Sequence, residues 1–400
     1  MKMTLMLAAA SAALTVLAKP SIDPSSVTLT QDSGSGLVTI AYTLAEGEAA
    51  IVTAEILTNG VSIGEEPLTN MTGAVNRKVQ PGSQTIQWKP TRTWPGFVFG
   101  NGECTARLTA WSLQTPPDYM VVHLTEETDN VRFYATSNGV PGGVTAEINK
   151  TSRLVLRKVH AAAKSYLQQF PIRTQRTAAF SDDYYVGVFE LTQGQYVSLG
   201  FENPSRYTGA DRLTHPVEGL PFKTLRGAYD WPEKNHDDVT AESYIGVLRR
   251  HAGGIKFDAL TEAQWEFACK AGPEMPYSWG KDISQASHYA WFSKAGDDET
   301  TQEVGLKWPG AWGLYDMHGN VMEHTLDRCV DSTAPDSIET LPAGYYIDPY
   351  SWPKSHSTCC TMKGGKYQQT VTPAYQRNRV AVTGGFIGNG HRLGCPALIP

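Results

Sequence analysis

The chain has 400 residues, 41% of them hydrophobic, with a formal net charge of −6 and six cysteines. The apolar content suffices for packed cores, and the mild acidity is spread out, with no basic stripe or interleaved aromatic and basic run, which speaks against a nucleic-acid partner. No phosphate loop, dinucleotide fingerprint, nucleophile elbow, kinase signature or internal repeat occurs.

In chain order, Met1-Lys2-Met3 and the apolar run over residues 5–18, with Val16 and Ala18 before a cut, have the layout of a secretory signal. The expectation for residues 1–18 is therefore a signal peptide and export, to the periplasm, the cell surface or the medium. The run is shorter than the roughly 20 apolar residues of a membrane span, and no later segment reaches that length. Residues 19–124 carry stretches of period two at 27–30, 37–42, 50–57, 84–88 and 106–111, separated by Gly, Pro and Asn turns. They predict an all-β sandwich with Trp88 as its core aromatic, and the segment resembles the immunoglobulin-like or fibronectin-like modules of exported bacterial proteins. Residues 125–151, broken by Asn138-Gly139 and Pro141-Gly142-Gly143, read as a linker with one strand at 131–134. Beyond it, 153–157 reads as the first strand of a larger domain over residues 152–400, and 240–250 as a helix on its surface.

Two segments of that larger domain carry most of the information. In Thr261-Glu262-Ala263-Gln264-Trp265-Glu266-Phe267-Ala268-Cys269-Lys270-Ala271-Gly272, Thr261 is the natural N-cap and Gln264 closes a capping box. Glu262 and Glu266 sit near the positive helix end, Gly272 is the stop, and Trp265, Ala268 and Cys269 face the core of a short amphipathic helix. Further on, Gly313-Leu314-Tyr315-Asp316-Met317-His318-Gly319-Asn320-Val321-Met322-Glu323-His324 puts a carboxylate on each side of a glycine turn. Hard side-chain oxygens with turn carbonyls are what Ca²⁺ prefers, although the same residues also make ordinary turns with solvated carboxylates. His318, Glu323 and His324 lack the helical H-E-x-x-H spacing, so they are not expected to hold zinc.

Together these segments resemble the formylglycine-generating enzyme family, also called the sulfatase-modifying-factor domain, whose motifs run R-L-P-T-E-A-E-W-E-Y-A-x-R-A-G and then G-L-x-D-M-x-G-N-V-W-E-W. Further matching pieces are the segment from Tyr185 to Tyr196, Asn203-Pro204-Ser205, His215-Pro216-Val217-Glu218, Tyr277-Ser278-Trp279-Gly280, Lys363-Gly364-Gly365-Lys366-Tyr367 and Gly390-His391-Arg392-Leu393-Gly394. The resemblance spans residues 152–400 and implies a multidomain chain: the sandwich, then an α+β fold related to C-type lectins, with little regular secondary structure. It also implies a structural Ca²⁺, held by side-chain oxygens of Asp316 and Glu323 and by carbonyls of Gly319 and Val321.

The family's oxidase activity uses two copper-binding cysteines downstream of its Gly-Gly-Ser segment. Alignment on Gly364-Gly365 puts Gln369 and Ala374 at those positions, and Lys366 through Gly394 contains no cysteine. Neither residue replaces a thiolate for Cu(I), so copper and formylglycine formation by the known mechanism are not expected, and no catalytic residue is assigned. The sequence also departs from the family at Met322-Glu323-His324 and at Asp258-Ala259-Leu260. The late cysteines Cys329, Cys359, Cys360 and Cys395 suggest at least one disulfide in an exported chain, with Cys104 and Cys269 free or buried.

Two readings of function follow. The first is a non-catalytic binding or scaffold protein that holds an exported protein, peptide or glycan on its loop face, with Trp308, Trp312, Tyr345 and Tyr346 as a ligand platform. The second is a divergent enzyme that modifies an exported protein such as a sulfatase. Tyr367, Arg377, Arg379 and Arg392 are then the polar candidates, and pairing of the arginines with carboxylates or carbonyls is the alternative role.

Overall fold

The computed structural model describes residues 19–96, 98–99, 103–169, 175–227, 239–272, 275–293, 300–329, 345–348, 359–381 and 383–400. The signal expected over residues 1–18 lies outside the described residues, as does most of the insertion that follows Cys329.

Alternation of apolar and polar residues builds the N-terminal region as two facing sheets. One has the order Thr28–Gln31, Val38–Leu44, Gly82–Trp88, Thr72–Gly73; in the other, Ala50–Thr58 pairs with Val61–Ser62, Arg77–Val79 and Cys104–Trp111. Val38–Leu44 shows the period of two directly, with every second residue buried. Trp88 is fully buried among Ile40, Ile86 and Val52, and its indole N–H donates to the Pro67 carbonyl at 3.0 Å, so its one polar atom is satisfied.

The C-terminal region is organised on a six-stranded antiparallel sheet in the order Val131–Tyr134, Tyr119–His123, Arg153–Val159, Tyr184–Gly187, Leu393–Pro396, Asp258–Ala259. The expected strands at 131–134 and 153–157 are both present, the second running to Val159. Tyr119–His123, read in sequence with the sandwich, is instead the second strand of this sheet, and Val131–Tyr134 of the expected linker lies at its edge. All five residues of Tyr119–His123 are buried. A strand covered on both faces reads as an unbroken apolar run, so alternation gives no sign of its sheet. Ile51 and Leu113 of the preceding segments pack into the same core as Met120, Val122 and Phe133.

The helix Tyr244–His251 starts at the Ser243 cap, whose hydroxyl accepts from the Gly246 amide at 3.1 Å. It is shorter than the expected 240–250, and Tyr244, Ile245 and Leu248 are fully buried. The helix Glu262–Lys270 has the predicted capping box in full, with Ala271 in the left-handed conformation before Gly272. It is not amphipathic: every residue except Gln264 is buried, Glu262 and Glu266 included. Its carboxylates do not use a helix end in water. Glu262 takes Arg377 and Lys363, and Glu266 takes Lys363 at 3.2 Å and Lys270 at 2.7 Å, which is how a buried charge becomes tolerable. The helix packs on a second sheet in the order Asn378–Ala381, Cys359–Lys363, Met322–Cys329, Asn389–Gly390. Cys104, Cys269 and Cys395 are buried free thiols, so Cys395 does not anchor the expected disulfide; Cys329 and Cys359 are register partners in the antiparallel ladder.

Candidate functional site

The loop with the paired carboxylates is built by close backbone approach. Asp316 and Asn320 take left-handed φ values of 58° and 60°, which short polar side chains tolerate. A Cβ on Gly319 would stand 1.9 Å from the Trp291 carbonyl oxygen, so only glycine fits there. The Asn320 side chain donates to Glu190 Oε2 at 2.7 Å and accepts from the Gln302 amide at 2.9 Å, while the Val321 amide donates to Glu190 Oε1 at 3.0 Å. Glu190, a buried carboxylate in the middle of the loop's hydrogen bonding, is not singled out by sequence reasoning; its only signal is membership of the segment that matches the family.

Glu323 is held by Arg392, with Nη2 2.7 Å from Oε1 and Nε 3.0 Å from both oxygens, and by the Trp265 indole N–H at 2.5 Å from Oε2. Asp316 accepts from the Gly305 amide at 2.7 Å through Oδ2, and its buried Oδ1 has no partner. Burial, with Glu323 adding to it and Gly305 and Arg392 opposing, raises the Asp316 carboxyl to about 6; burial beside Asp316 and Glu323 raises Glu190 well above the ordinary range. These residues do not fit the calcium set of Asp316, Gly319, Val321 and Glu323 as a whole. Asp316 offers one open oxygen, but both Glu323 oxygens are engaged and Arg392 already supplies the compensating charge. Among the described residues no group of three or more His, Cys, Asp and Glu side chains converges as metal ligands.

Gln369 and Ala374 stand where the family has its copper thiolates. Ala374 is buried in an apolar cluster with Trp265, Leu314 and Met317, and its amide donates to the Pro276 carbonyl at 2.7 Å. The Gln369 carbonyl accepts from the Ser293 amide at 2.8 Å. Neither supplies a soft ligand, so the two positions do not fit copper. The thiol of Cys269, in the same apolar cluster as Ala374, lies 3.2 Å from His318 Nε2, which also accepts from the Ser278 amide at 2.9 Å, while Nδ1–H donates to the Thr372 carbonyl at 2.9 Å. Burial raises the thiol pKa and lowers His318 to about 4, so both are neutral near pH 7 and no activated thiolate forms. His318 is thus a structural histidine.

Beside His318 stands a series of stacked rings. Tyr277 and Trp279 are parallel at 4.8 Å, Trp279 and Tyr289 at 5.1 Å, and Tyr289 meets Trp308 edge to face at 5.7 Å. His318 closes the inner end against Trp279 at 4.8 Å, and His288 stacks on Trp308 at 4.8 Å at the outer end. Trp308 is 59% exposed. Of the aromatics expected as a platform, Trp308 belongs to this array, and the side chain of Tyr345 lies outside what the structure describes. Trp312 packs edge-on against Phe267 at the margin of the core, and Tyr346 sits half-buried in the short strand Tyr345–Ile347. Tyr277 and Trp279 were visible only as a family motif, and Tyr289 carried no signal.

The candidate polar residues of the enzyme reading are structural where their contacts are described. Arg377 pairs with Glu262, Nε to Oε1 at 2.8 Å, and Arg392 with Glu323. The model of the sulfatase-modifying factor enzyme 1-like domain matches residues 140–391, more than half of the chain. The chain therefore belongs to the sulfatase-modifying-factor family. A chaperone protein LppX of Paenibacillus barcinonensis is 25% identical in an alignment of 174 residues that covers 35% of this chain and 61% of that protein, so the chain spans less than two thirds of its length. Among solved structures, Treponema denticola variable protein 1 aligns with 22% identity and a TM-score of 0.47 over 61% of this chain and 95% of its own. PvdO from Pseudomonas aeruginosa aligns with 18% identity and a TM-score of 0.46 over 61% and 94%.

Proposed function

We propose that this chain is an exported, non-catalytic binding protein of the sulfatase-modifying-factor family, which holds a peptide or glycan of a partner on the stacked rings from Tyr277 to Trp308. The observation that supports it is the exposed Trp308 at the end of an aromatic array whose inner ring, Tyr277, follows Pro276, the residue bonded by Ala374, which stands in place of one of the family's copper thiolates. Flat, rigid rings provide contact area at low entropic cost and without reactive groups. The name of LppX as a chaperone agrees with a role in holding another protein. Export rests on the apolar run over residues 5–18. Glycan and peptide arrays, with pull-down from the cell envelope, test the reading. Retention that falls about tenfold in Trp308→Ala supports it; blank arrays and pull-downs remove it.

A further inference from the structure

A second concave surface lies between the sandwich and the six-stranded sheet, with a volume of about 1290 Å³, and its rim at Pro309, Gly310 and Ala311 adjoins Trp308 of the aromatic array. Its walls come from both regions: Glu65, Glu66, Thr69 and Trp94 on one side, and Tyr119, Arg157 and Tyr315 on the other. Arg157 is the informative member. It is half-buried on the strand Arg153–Val159, its Nη1 donates to the Tyr119 hydroxyl at 3.0 Å, and its guanidinium lies 5.6 Å from the centre of the Tyr119 ring. Among the described residues no carboxylate within salt-bridge distance faces it, whereas Arg226, Arg377 and Arg392 in the core all have one. Gly313, which takes a left-handed φ of 71°, lies beside Arg157, the place of a Cβ being at ordinary contact distance, 3.4 Å, from Nη1.

We infer that this cleft binds an oligosaccharide carrying a single carboxylate, with the acid group on Arg157. A planar guanidinium held by Tyr119 suits a carboxylate in a two-point contact. Trp94 and Tyr315, packed on one side against Trp88 and Phe189 respectively, line the cleft with aromatic surface, and Thr69 with the surrounding turns offers hydroxyl and backbone groups of the kind sugars use. The charge balance selects against a polyacidic peptide: among the described residues that line the cleft, Glu65, which accepts from the Thr136 hydroxyl, and Glu66 outnumber the one cation Arg157, and a ligand with several acids meets repulsion there. A sugar with one acid places that acid on the Arg157 wall and neutral hydroxyls toward Glu66.

The test uses the whole chain on an array of oligosaccharides that each carry one glucuronate, galacturonate or sialate, beside the same chains with the carboxylate esterified and beside acidic peptides. The expected result is retention of at least one free acid over its ester. It should fall about tenfold in Arg157→Gln and in Trp94→Ala, and only partly in Arg157→Lys, which keeps the charge but not the fork. Melting curves of the variants check that each is folded. Equal retention of acid and ester, retention unchanged in a folded Arg157→Gln, acidic peptides held as well as the sugars, or no retained sugar would each overturn the inference.

Discussion

Arg392 and Glu323 form an ion pair in which every guanidinium N–H has a partner. Nε and Nη2 reach the carboxylate, Nη1 reaches the carbonyls of Gly187 at 2.9 Å and Val188 at 3.0 Å, and Nη2 also reaches Tyr315 at 2.8 Å. One side chain thereby ties the central sheet to the loop from Gly313 to His324. Removing one partner leaves a buried charge uncompensated, so Glu323→Gln and Arg392→Met are each expected to lose about 3–5 kcal/mol. If the pair rather than a cation holds the loop, the loss in Glu323→Gln is the same with Ca²⁺ and with EDTA. Thermal melts in both buffers decide this, and a loss seen only with Ca²⁺ would restore Glu323 as a calcium ligand.

The pair His324 and His391 predicts the response to acid. Their rings stack at 4.4 Å and 16°, Nδ1 of His324 donates to the Gly390 carbonyl, and Nε2 of His391 donates to the Leu220 carbonyl. Burial lowers His324 to about 4, and burial with His324 alongside lowers His391 further. A histidine lowered in the folded state binds fewer protons than in the unfolded chain, so its contribution is complete above about 6.5 and is lost as pH falls toward 4. His318 acts in the same direction. Asp316, raised to about 6, and Glu190, raised well above its ordinary range, act against it, since their folded forms bind more protons and favour stability on the acid side. The expected net result is loss of stability below about pH 6.5. His324→Asn keeps a donor for Gly390 and should flatten that slope by an amount on the order of 3 kcal/mol between pH 6.5 and 4. Denaturant titrations across that range measure it.

What was legible in the sequence is what local chemistry determines. The Thr261 and Gln264 box, the sandwich strands around Trp88 and the glycine turn at Gly319 all follow from neighbouring residues. Relations across the chain were not legible. Tyr119–His123 finds its sheet through Arg153–Val159, and Glu323 finds Arg392 69 residues later. Asp258, a departure from the family pattern, proves to be the carboxylate that takes Arg226 at 3.0 Å and Arg249 at 3.3 Å. The aromatic array draws its rings from the turn at Tyr277 and Trp279, the helix Ala286–Tyr289 and the loop at Trp308, with no regular spacing that would mark them as neighbours.

Gly319 tests how tightly the loop is seated. With the Trp291 carbonyl 1.9 Å from the place of a Cβ, and its carbon and nitrogen at 2.7 and 2.9 Å, the obstacle is backbone and cannot rotate away. Gly319→Ala should therefore displace the segment from Trp291 and break the Asn320 amide bond to the Trp291 carbonyl, now 2.8 Å. The expected loss is about 3 kcal/mol or more, because overpacking against backbone adds to the lost hydrogen bond. Limited proteolysis should show new cuts near this loop, whereas Gly60→Ala, at an open turn with nothing within 4 Å, should show none there.

The last prediction concerns oxidation. Cleavage of a substrate thiol's C–H bond by copper requires thiolates to hold the metal, and Ala374 has no donor atom while Gln369 offers only hard ones. Cys269, a buried thiol in the same apolar cluster as Ala374, is kept protonated by burial and donates to a neutral His318. Incubation with a Cys-x-Pro-x-Arg peptide, copper(I) and oxygen is therefore expected to leave the peptide mass unchanged, and copper should not be retained through desalting. A mass shift to formylglycine would mean that other residues of this chain hold copper. Cys269→Ala would then locate the activity: unchanged turnover would clear this thiol, and lost turnover would place the metal between Cys269 and His318.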